Sequence, residues 1–231
     1  MLKAAVFDMD GLMFDTETLV YRIWQRMMDE EGYPYSLEDF KQTVGKRKAE
    51  VQNFYFGKYG EDFPYWDFSA KCRQRYLWYI GENGVPVKKG LVELLDFLKE
   101  KGFLIALATS TSRVTTELNL ESAKLTEYFD TLVCGEDVVN GKPHPEVFLD
   151  AAARLGVKPS ECVALEDSVN GIKSAYAAGM TTVMVPDMIR PSDQLLPMID
   201  LCCDSLGKAI PFIEGAGKEG KTKPAEADGT E

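Results

Sequence analysis

Asp8 and Asp10 follow a short apolar run, AAVF, with a single residue between them. Thr109 and Ser110 follow FLIALA, Glu136, Asp137 and then Lys142 follow TLVC, and Glu166 and Asp167 end CVALED. If these runs are strands lying side by side and parallel, their exits form one rim, the place where open α/β sheets bind ligands. Four carboxylates (Asp8, Asp10, Glu166, Asp167), two hydroxyls and one ammonium would meet there. Carboxylates a few ångströms apart raise one another's pKa, so such a rim needs a compensating charge. A hard divalent cation supplies it, and Mg²⁺ takes oxygen ligands while keeping several waters. Asp8 and Asp167 are the expected side-chain ligands, with Glu166 direct or through water and Asp10 through its backbone carbonyl. The one histidine, His144, is too few for a His-based zinc site.

A carboxylate at such a rim can attack phosphorus and form an aspartyl-phosphate, and Asp8 is placed for that step. Asp10, past the strand end, suits the acid that protonates the leaving oxygen and then takes a proton from water. Lys142, the Thr109 hydroxyl and the N–H groups around Ser110 can neutralise a phosphoryl group in transfer. A helix expected over about 112–120 would add its anion-favouring N-terminus. Each piece alone has an ordinary reading: D-x-D as a turn, Thr109-Ser110 as an N-cap, Lys142 as a solvated lysine, Glu166-Asp167 as helix capping. Four strand exits carrying the types that one reaction needs are hard to explain by capping.

The elements that must position these residues follow from the hydrophobic pattern. From 85 onward, strands (FLIALATS, TLVCGE, CVALEDS, TTVMVP) alternate with helices (LVELLDFLKEKG, PEVFLDAAARLG, VNGIKSAYAAG), which implies right-handed parallel βαβ units. The stretch 16–83 differs. It is aromatic, charged and free of β-branched runs, and reads as four helices: LVYRIWQRMMDEEG, SLEDFKQTVG with Ser36 as N-cap, KAEVQNFYFGKYG and WDFSAKCRQRYLWYIGENG. The expected fold is therefore α/β, a Rossmann-like parallel-sheet core (1–15 and 84–214) with an inserted all-helical cap (16–83). Hinges are expected at 12–17 and 81–88. A Gly-, Lys- and Glu-rich tail over 215–231 reads as disordered.

The 231 residues are 45% hydrophobic and 27% charged, ample for a core without staples. Lys and Arg total 26 against 37 Asp and Glu, a net charge of −11. That acidity argues against nucleic acid or anionic membrane as partner, since both need a cationic surface. An anionic substrate would require cations gathered at one place. Five cysteines, at 72, 134, 162, 202 and 203, form no C-x-x-C pair and read as free thiols of a reducing compartment, with Cys134 and Cys162 in the core. The start lacks an apolar signal region, and no apolar run is long enough to span a bilayer. A cytoplasmic monomer is the expectation.

The segments DMDGLMFDTE, ALATSTSR, GKPHPEVF and ALEDSVNGIKSAYAAGM together resemble the four ordered motifs of the haloacid dehalogenase superfamily, and the helical insertion resembles its small C1-type cap. The resemblance runs from about residue 2 to 212. It implies Asp8 as nucleophile, Asp10 as general acid and base, Thr109 and Lys142 on phosphate, and Glu166 and Asp167 at Mg²⁺. An acid two residues after the nucleophile points to phosphate esters rather than to dehalogenation or phosphonate cleavage. The similarity is to the sugar-phosphate phosphatase and β-phosphoglucomutase branch, which implies a small phosphorylated metabolite as partner. The mutases usually carry a histidine on the first cap helix; here that region reads Leu19, Val20, Tyr21. Relatives turn a Gly-containing cap loop toward the substrate. Here it holds Gly45 with Lys46, Arg47 and Lys48, of which Lys46 or Lys48 could grip a hydroxyl or a distal anion. Glu17 and Thr16, at the cap hinge, could also face the substrate. Two rivals to the phosphatase reading are a phosphomutase and a non-catalytic sensor of a phosphorylated ligand.

Overall fold

The computed structural model describes residues 1–46 and 48–216. Six strands, β1 (Ala4–Phe7), β2 (Leu104–Ala108), β3 (Thr131–Val133), β4 (Cys162–Glu166), β5 (Thr181–Met184) and β6 (Leu201–Cys202), form one parallel sheet in the order β3-β2-β1-β4-β5-β6. Five helices serve this core: α5 (Leu91–Glu100), α6 (Arg113–Ala123), α7 (Glu146–Leu155), α8 (Val169–Ala177) and α9 (Ile210–Ala216). Side chains alternate across a strand, so β1 feeds two apolar layers. Ala5 and Phe7 join Leu91, Leu94, Leu95 and Leu98 of α5 on one face. Ala4 and Val6 join Phe148 and Ala151 of α7 on the other. A sheet covered on both faces explains the uninterrupted apolar runs.

The chain leaves β1 toward β2 on one side and later returns to β4 on the other. The register sets Phe7 opposite both Leu107 and Leu165. The residues just beyond these positions therefore leave the sheet at one level, at the point where the crossover direction reverses.

Four helices fill the insertion between β1 and α5: α1 (Thr16–Glu30), α2 (Leu37–Lys41), α3 (Lys48–Tyr59) and α4 (Tyr65–Asn83). They enclose their own aromatic core of Trp24, Tyr35, Phe40, Tyr55, Phe63, Tyr65 and Phe68. Gly32 closes α1 at φ +77°, with its N–H bonded to Asp29 and that of Tyr33 to Met28, a left-handed cap that suits glycine. The two connections expected as hinges run side by side. Phe14 pairs antiparallel with Val87, the Asp15 N–H donates to the Pro86 carbonyl at 2.8 Å, and that of Lys88 to Met13 at 2.9 Å.

Four details differ from the sequence reading. The helix opened by Ser36, in a capping box with Asp39, stops at Lys41. Thr43 donates both its N–H and its hydroxyl to the Phe40 carbonyl, and Gly45 at φ +69° then turns the chain. The strand read as TLVCGE ends at Val133. Gly135 folds off the sheet against the 110–111 loop, where a β-carbon would lie 2.4 Å from the Ser110 carbonyl oxygen. β6 and α9 were not expected, because a two-residue edge strand carries almost no periodic signal. The tail expected over 215–231 begins inside α9, and the rest of it, like Arg47, lies outside the described residues. All five cysteines are free, with Cys134 and Cys162 buried.

Candidate active site

β1 and β4 are central and wholly buried, so the groups at their ends are held by the most constrained backbone in the molecule. Asp8, Glu166 and Asp167 are 7%, 1% and 7% exposed. Each offers a carboxylate oxygen within 4.8 Å of the others. Lys142 reaches them from the loop before α7. Its ammonium donates to Asp8 Oδ1, to Glu166 Oε1 at 2.7 Å and to the Ala108 carbonyl at 3.0 Å. The second oxygen of Glu166 accepts from the Ser168 N–H and hydroxyl at 2.8 and 2.9 Å, which orients this carboxylate. Two glycines make the room. A β-carbon on Gly171 would sit 1.7 Å from Glu166 Oε1, and one on Gly11 2.3 Å from Asp167 Oδ2.

Asp10 stands apart from this trio. Its carboxylate accepts the Thr111 hydroxyl at 2.6 Å. Asp10 therefore joins no side-chain cluster with Asp8, Glu166 and Asp167, and its expected part as a ligand rests on its backbone carbonyl alone. Thr109 is buried with its hydroxyl accepting from the Thr111 N–H at 3.0 Å, while Ser110 is exposed at the rim.

Burial dominates the electrostatics. It pushes the Asp8 carboxyl up to about 8, with Glu166 and Asp10 adding and Lys142 opposing. Burial also lifts Asp167 well above the carboxylate range, reinforced by Glu166 and Asp8, and lifts Asp10 against the Thr111 hydrogen bond. For Lys142 burial acts downward, but Asp8 and Glu166 outweigh it and hold the ammonium charged. One ammonium among three buried carboxylates leaves a deficit of positive charge. The donor set is wholly hard oxygen, with no thiolate or imidazole among the three. Charge and donor type both fit Mg²⁺.

A cavity of about 870 Å³ opens over this rim. Core residues Asp8, Asp10, Thr109, Ser110, Lys142, Glu166 and Asp167 line it on one side, and Glu17, Gly45, Lys46 and Lys48 on the cap side. Thr16 lines it too, so the rim and cap residues expected to act on or contact the substrate border one space, Arg47 lying outside the described residues. Glu136 and Asp137 do not border it. Glu136 accepts the Arg113 N–H, and Asp137 accepts the Cys134 N–H and pairs with Arg113 at 2.6 Å. His144 is exposed and lies against Glu146 at the start of α7.

Sequence reasoning missed several neighbours. Thr111, whose hydroxyl steadies Asp10, has no signal of its own in the sequence. Asn170 donates to the Gly45 carbonyl at 2.8 Å and so ties the cap loop to the turn that carries Asp167. Asp187, past β5, bonds Lys88 at 2.5 Å. Ser69, Cys72, Arg73 and Tyr76 of α4 line the cavity at i, i+3, i+4 and i+7, one helix face. The same spacing also describes an ordinary packed face, which hid them.

Residues 5–185 match the family model described as haloacid dehalogenase-like hydrolase. Hexitol phosphatase B of Escherichia coli (strain K12) is 34% identical over 207 residues, covering 89% of this chain and 93% of that protein. A phosphorylated carbohydrates phosphatase of Thermotoga maritima is 31% identical over 182 residues, 79% of this chain and 84% of its own length. Among solved structures, a HAD family hydrolase from Deinococcus radiodurans with bound phosphate and sodium superposes with a TM-score of 0.77 at 29% identity, covering 94% and 96% of the two chains.

Proposed function

Since this chain belongs to the haloacid dehalogenase-like hydrolases, we propose that it is a Mg²⁺-dependent phosphatase of a small phosphorylated metabolite, a sugar phosphate or related monoester, acting through an aspartyl-phosphate on Asp8. The observation that carries this is the Lys142 ammonium bridging Asp8 and Glu166, with Asp167 alongside, at the joint exit of β1 and β4. The relatives named for hexitol and carbohydrate phosphates support the substrate class.

In this reading the ester phosphate lies between Asp8 and the Thr109–Ser110 turn. Lys142, the Thr109 hydroxyl and N–H groups of the 110–111 turn hold its non-bridging oxygens. A carboxylate oxygen of Asp8 attacks phosphorus, the ester P–O bond breaks, and Asp10 gives its proton to the leaving oxygen. A water then loses a proton to Asp10 and attacks the phosphorus of the acyl phosphate, releasing inorganic phosphate and restoring both carboxyls. Asp8, Glu166, Asp167 and the Asp10 carbonyl would hold Mg²⁺, which supplies charge neutralisation for the carboxylates and phosphoryl oxygens. Burial lets Asp10 carry the proton it must donate, and the Thr111 hydroxyl aims its carboxyl. The cap, docked through Asn170 and Gly45, would exclude bulk water during the first transfer.

A screen of phosphorylated metabolites with Mg²⁺ tests this. Phosphate release by the wild type and none by Asp8→Asn, with an unchanged circular dichroism spectrum, is the expected result; full turnover by Asp8→Asn would end the nucleophile assignment. The histidine that the mutases usually carry on the first cap helix has no counterpart on α1, whose Thr16–Glu30 sequence holds none. Incubation with a hexose 1-phosphate and a bisphosphate should accordingly give free phosphate and not the 6-phosphate.

A further inference from the structure

Three asparagines precede a glycine, at 83–84, 140–141 and 170–171. The pairing matters chemically, because glycine leaves its own peptide nitrogen unshielded by a β-carbon and free to swing toward the asparagine side chain. That nitrogen can attack the side-chain carbonyl carbon, Cγ. The structure separates the three pairs. Each carboxamide donates one hydrogen bond, Asn83 to the Tyr79 carbonyl at 3.0 Å, Asn140 to Glu146 Oε2 at 2.9 Å and Asn170 to the Gly45 carbonyl at 2.8 Å, so the side chains do not distinguish them. The attacking nitrogen does. The Gly84 N–H is held by the Ile80 carbonyl at 2.9 Å, and the Gly171 N–H by the Ser168 hydroxyl at 3.0 Å in the first turn of α8. The Gly141 N–H has no hydrogen-bond partner among the described residues, and Asn140 and Gly141 are both exposed in the loop before α7.

The same loop carries Lys142. Glu146, in the first turn of α7, anchors it by accepting the Val139 N–H at 2.7 Å, the Asn140 N–H at 3.0 Å and the Asn140 carboxamide. Asn140, Gly141 and Lys142 all border the cavity over the rim.

We propose that Asn140-Gly141 is a site of spontaneous deamidation that ages the enzyme through the Lys142 loop. The Gly141 peptide nitrogen, having given its proton to hydroxide, bonds to Asn140 Cγ. The bond from Cγ to the amide nitrogen breaks, and ammonia leaves a succinimide ring. Water then opens the ring at one carbonyl or the other and gives aspartate or isoaspartate. Aspartate sets a second carboxylate against Glu146 in place of a donor. Isoaspartate also adds a carboxylate, and it lengthens the main chain by a methylene ahead of Lys142. The site rests on the loop's own geometry; only its effect on turnover rests on the phosphatase reading.

The test ages wild type and Gly141→Ala in mildly alkaline buffer over days. A β-carbon on Gly141 meets nothing within 4 Å and its φ is outside the left-handed region, so alanine fits there while shielding the nitrogen. Peptide mass spectrometry reads amide-to-acid conversion at all three pairs, and turnover of p-nitrophenyl phosphate with Mg²⁺ is followed in the same samples. A nitrogen that must first break a hydrogen bond reacts more slowly, so Asn140 should convert about tenfold faster than Asn83 or Asn170. Wild-type turnover should fall with the converted fraction, and Gly141→Ala should keep both its amide and its turnover. Fresh Asn140→Asp should show KM raised a few-fold by the added charge beside the cavity. No conversion at Asn140, equal rates at the three pairs, or conversion at Asn83 or Asn170 ahead of it would overturn the site. Full turnover with Asn140 converted would overturn its link to Lys142. If fresh protein hydrolyses no ester, the phosphatase reading fails, and the mass spectra still decide the site.

Discussion

Core and cap bury apolar surface in opposite styles. The core packs small aliphatic side chains of a parallel sheet, Ala4, Val6, Ala106 and Ala164 among them, against helices on both faces. The cap packs large flat rings. Tyr55 stacks on Trp24 and Phe63 at 4.9 and 5.4 Å and shares a hydroxyl contact with Tyr35 at 2.8 Å. A parallel sheet fixes its strands about 4.8 Å apart, so short carboxylates at neighbouring strand ends are placed to a fraction of their own length. Helices that meet through rings impose no such lattice. The cap side of the cavity is lined by long cations, Lys46 and Lys48, which can adapt. In the proposed reaction the chemistry would sit on the lattice and the selectivity on the adaptable side.

The sharpest way to break this contrast is Lys142→Ala. It removes the one ammonium at the carboxylate trio, and Mg²⁺-dependent turnover should drop by about two to three orders of magnitude. Urea titration in EDTA should also show a loss of about 3 kcal/mol, since Asp8 and Glu166 would face each other without their partner. A loss in activity below about fivefold would place the chemistry elsewhere.

Tyr55→Ala asks whether the cap is a separate core. Losing this ring should cost about 3–5 kcal/mol. Hydrogen exchange should quicken in α1, α3 and α4 while β1 and β4 keep their protection. Uniform quickening across the sheet would mean that the two cores are one cooperative unit.

The smallest effect concerns the seam. Burial pushes Glu17 up to about 8, with Asp10 and Asp187 adding and Lys88 opposing. Between the ordinary value of 4.5 and about 8 the native state holds a proton that the unfolded chain releases, so metal-free stability falls as pH rises through that window. Glu17→Gln removes this slope. Its melting temperature in EDTA should gain on the wild type from pH 5 to pH 8 by a few degrees. A difference independent of pH would show that Glu17 is already ionised.

The contrast also explains what the sequence could tell. Asp8, Glu166 and Asp167 were legible because a strand of known direction must deliver its last and next residues to one edge, whatever the rest of the chain does, whereas Lys142 reaches that edge from the loop before α7. Arg73 was hidden because an i, i+3, i+4, i+7 stripe looks the same whether it faces packed rings or a cavity. Asn170 was hidden too: its partner is a cap carbonyl 125 residues away in sequence. Glu136 and Asp137 show the converse failure. They stand after a strand as the others do, yet Gly135 turns them off the rim and Arg113 takes both.

The central claim is a covalent bond at one atom group. Acid-quenching the protein during turnover of a phosphorylated sugar with Mg²⁺, followed by peptide mass spectrometry, should find one added phosphoryl group on the peptide containing Asp8, and none in Asp8→Asn or in EDTA. Steady release of phosphate with that peptide unmodified, under conditions where a known aspartyl-phosphate survives the quench, would contradict the account.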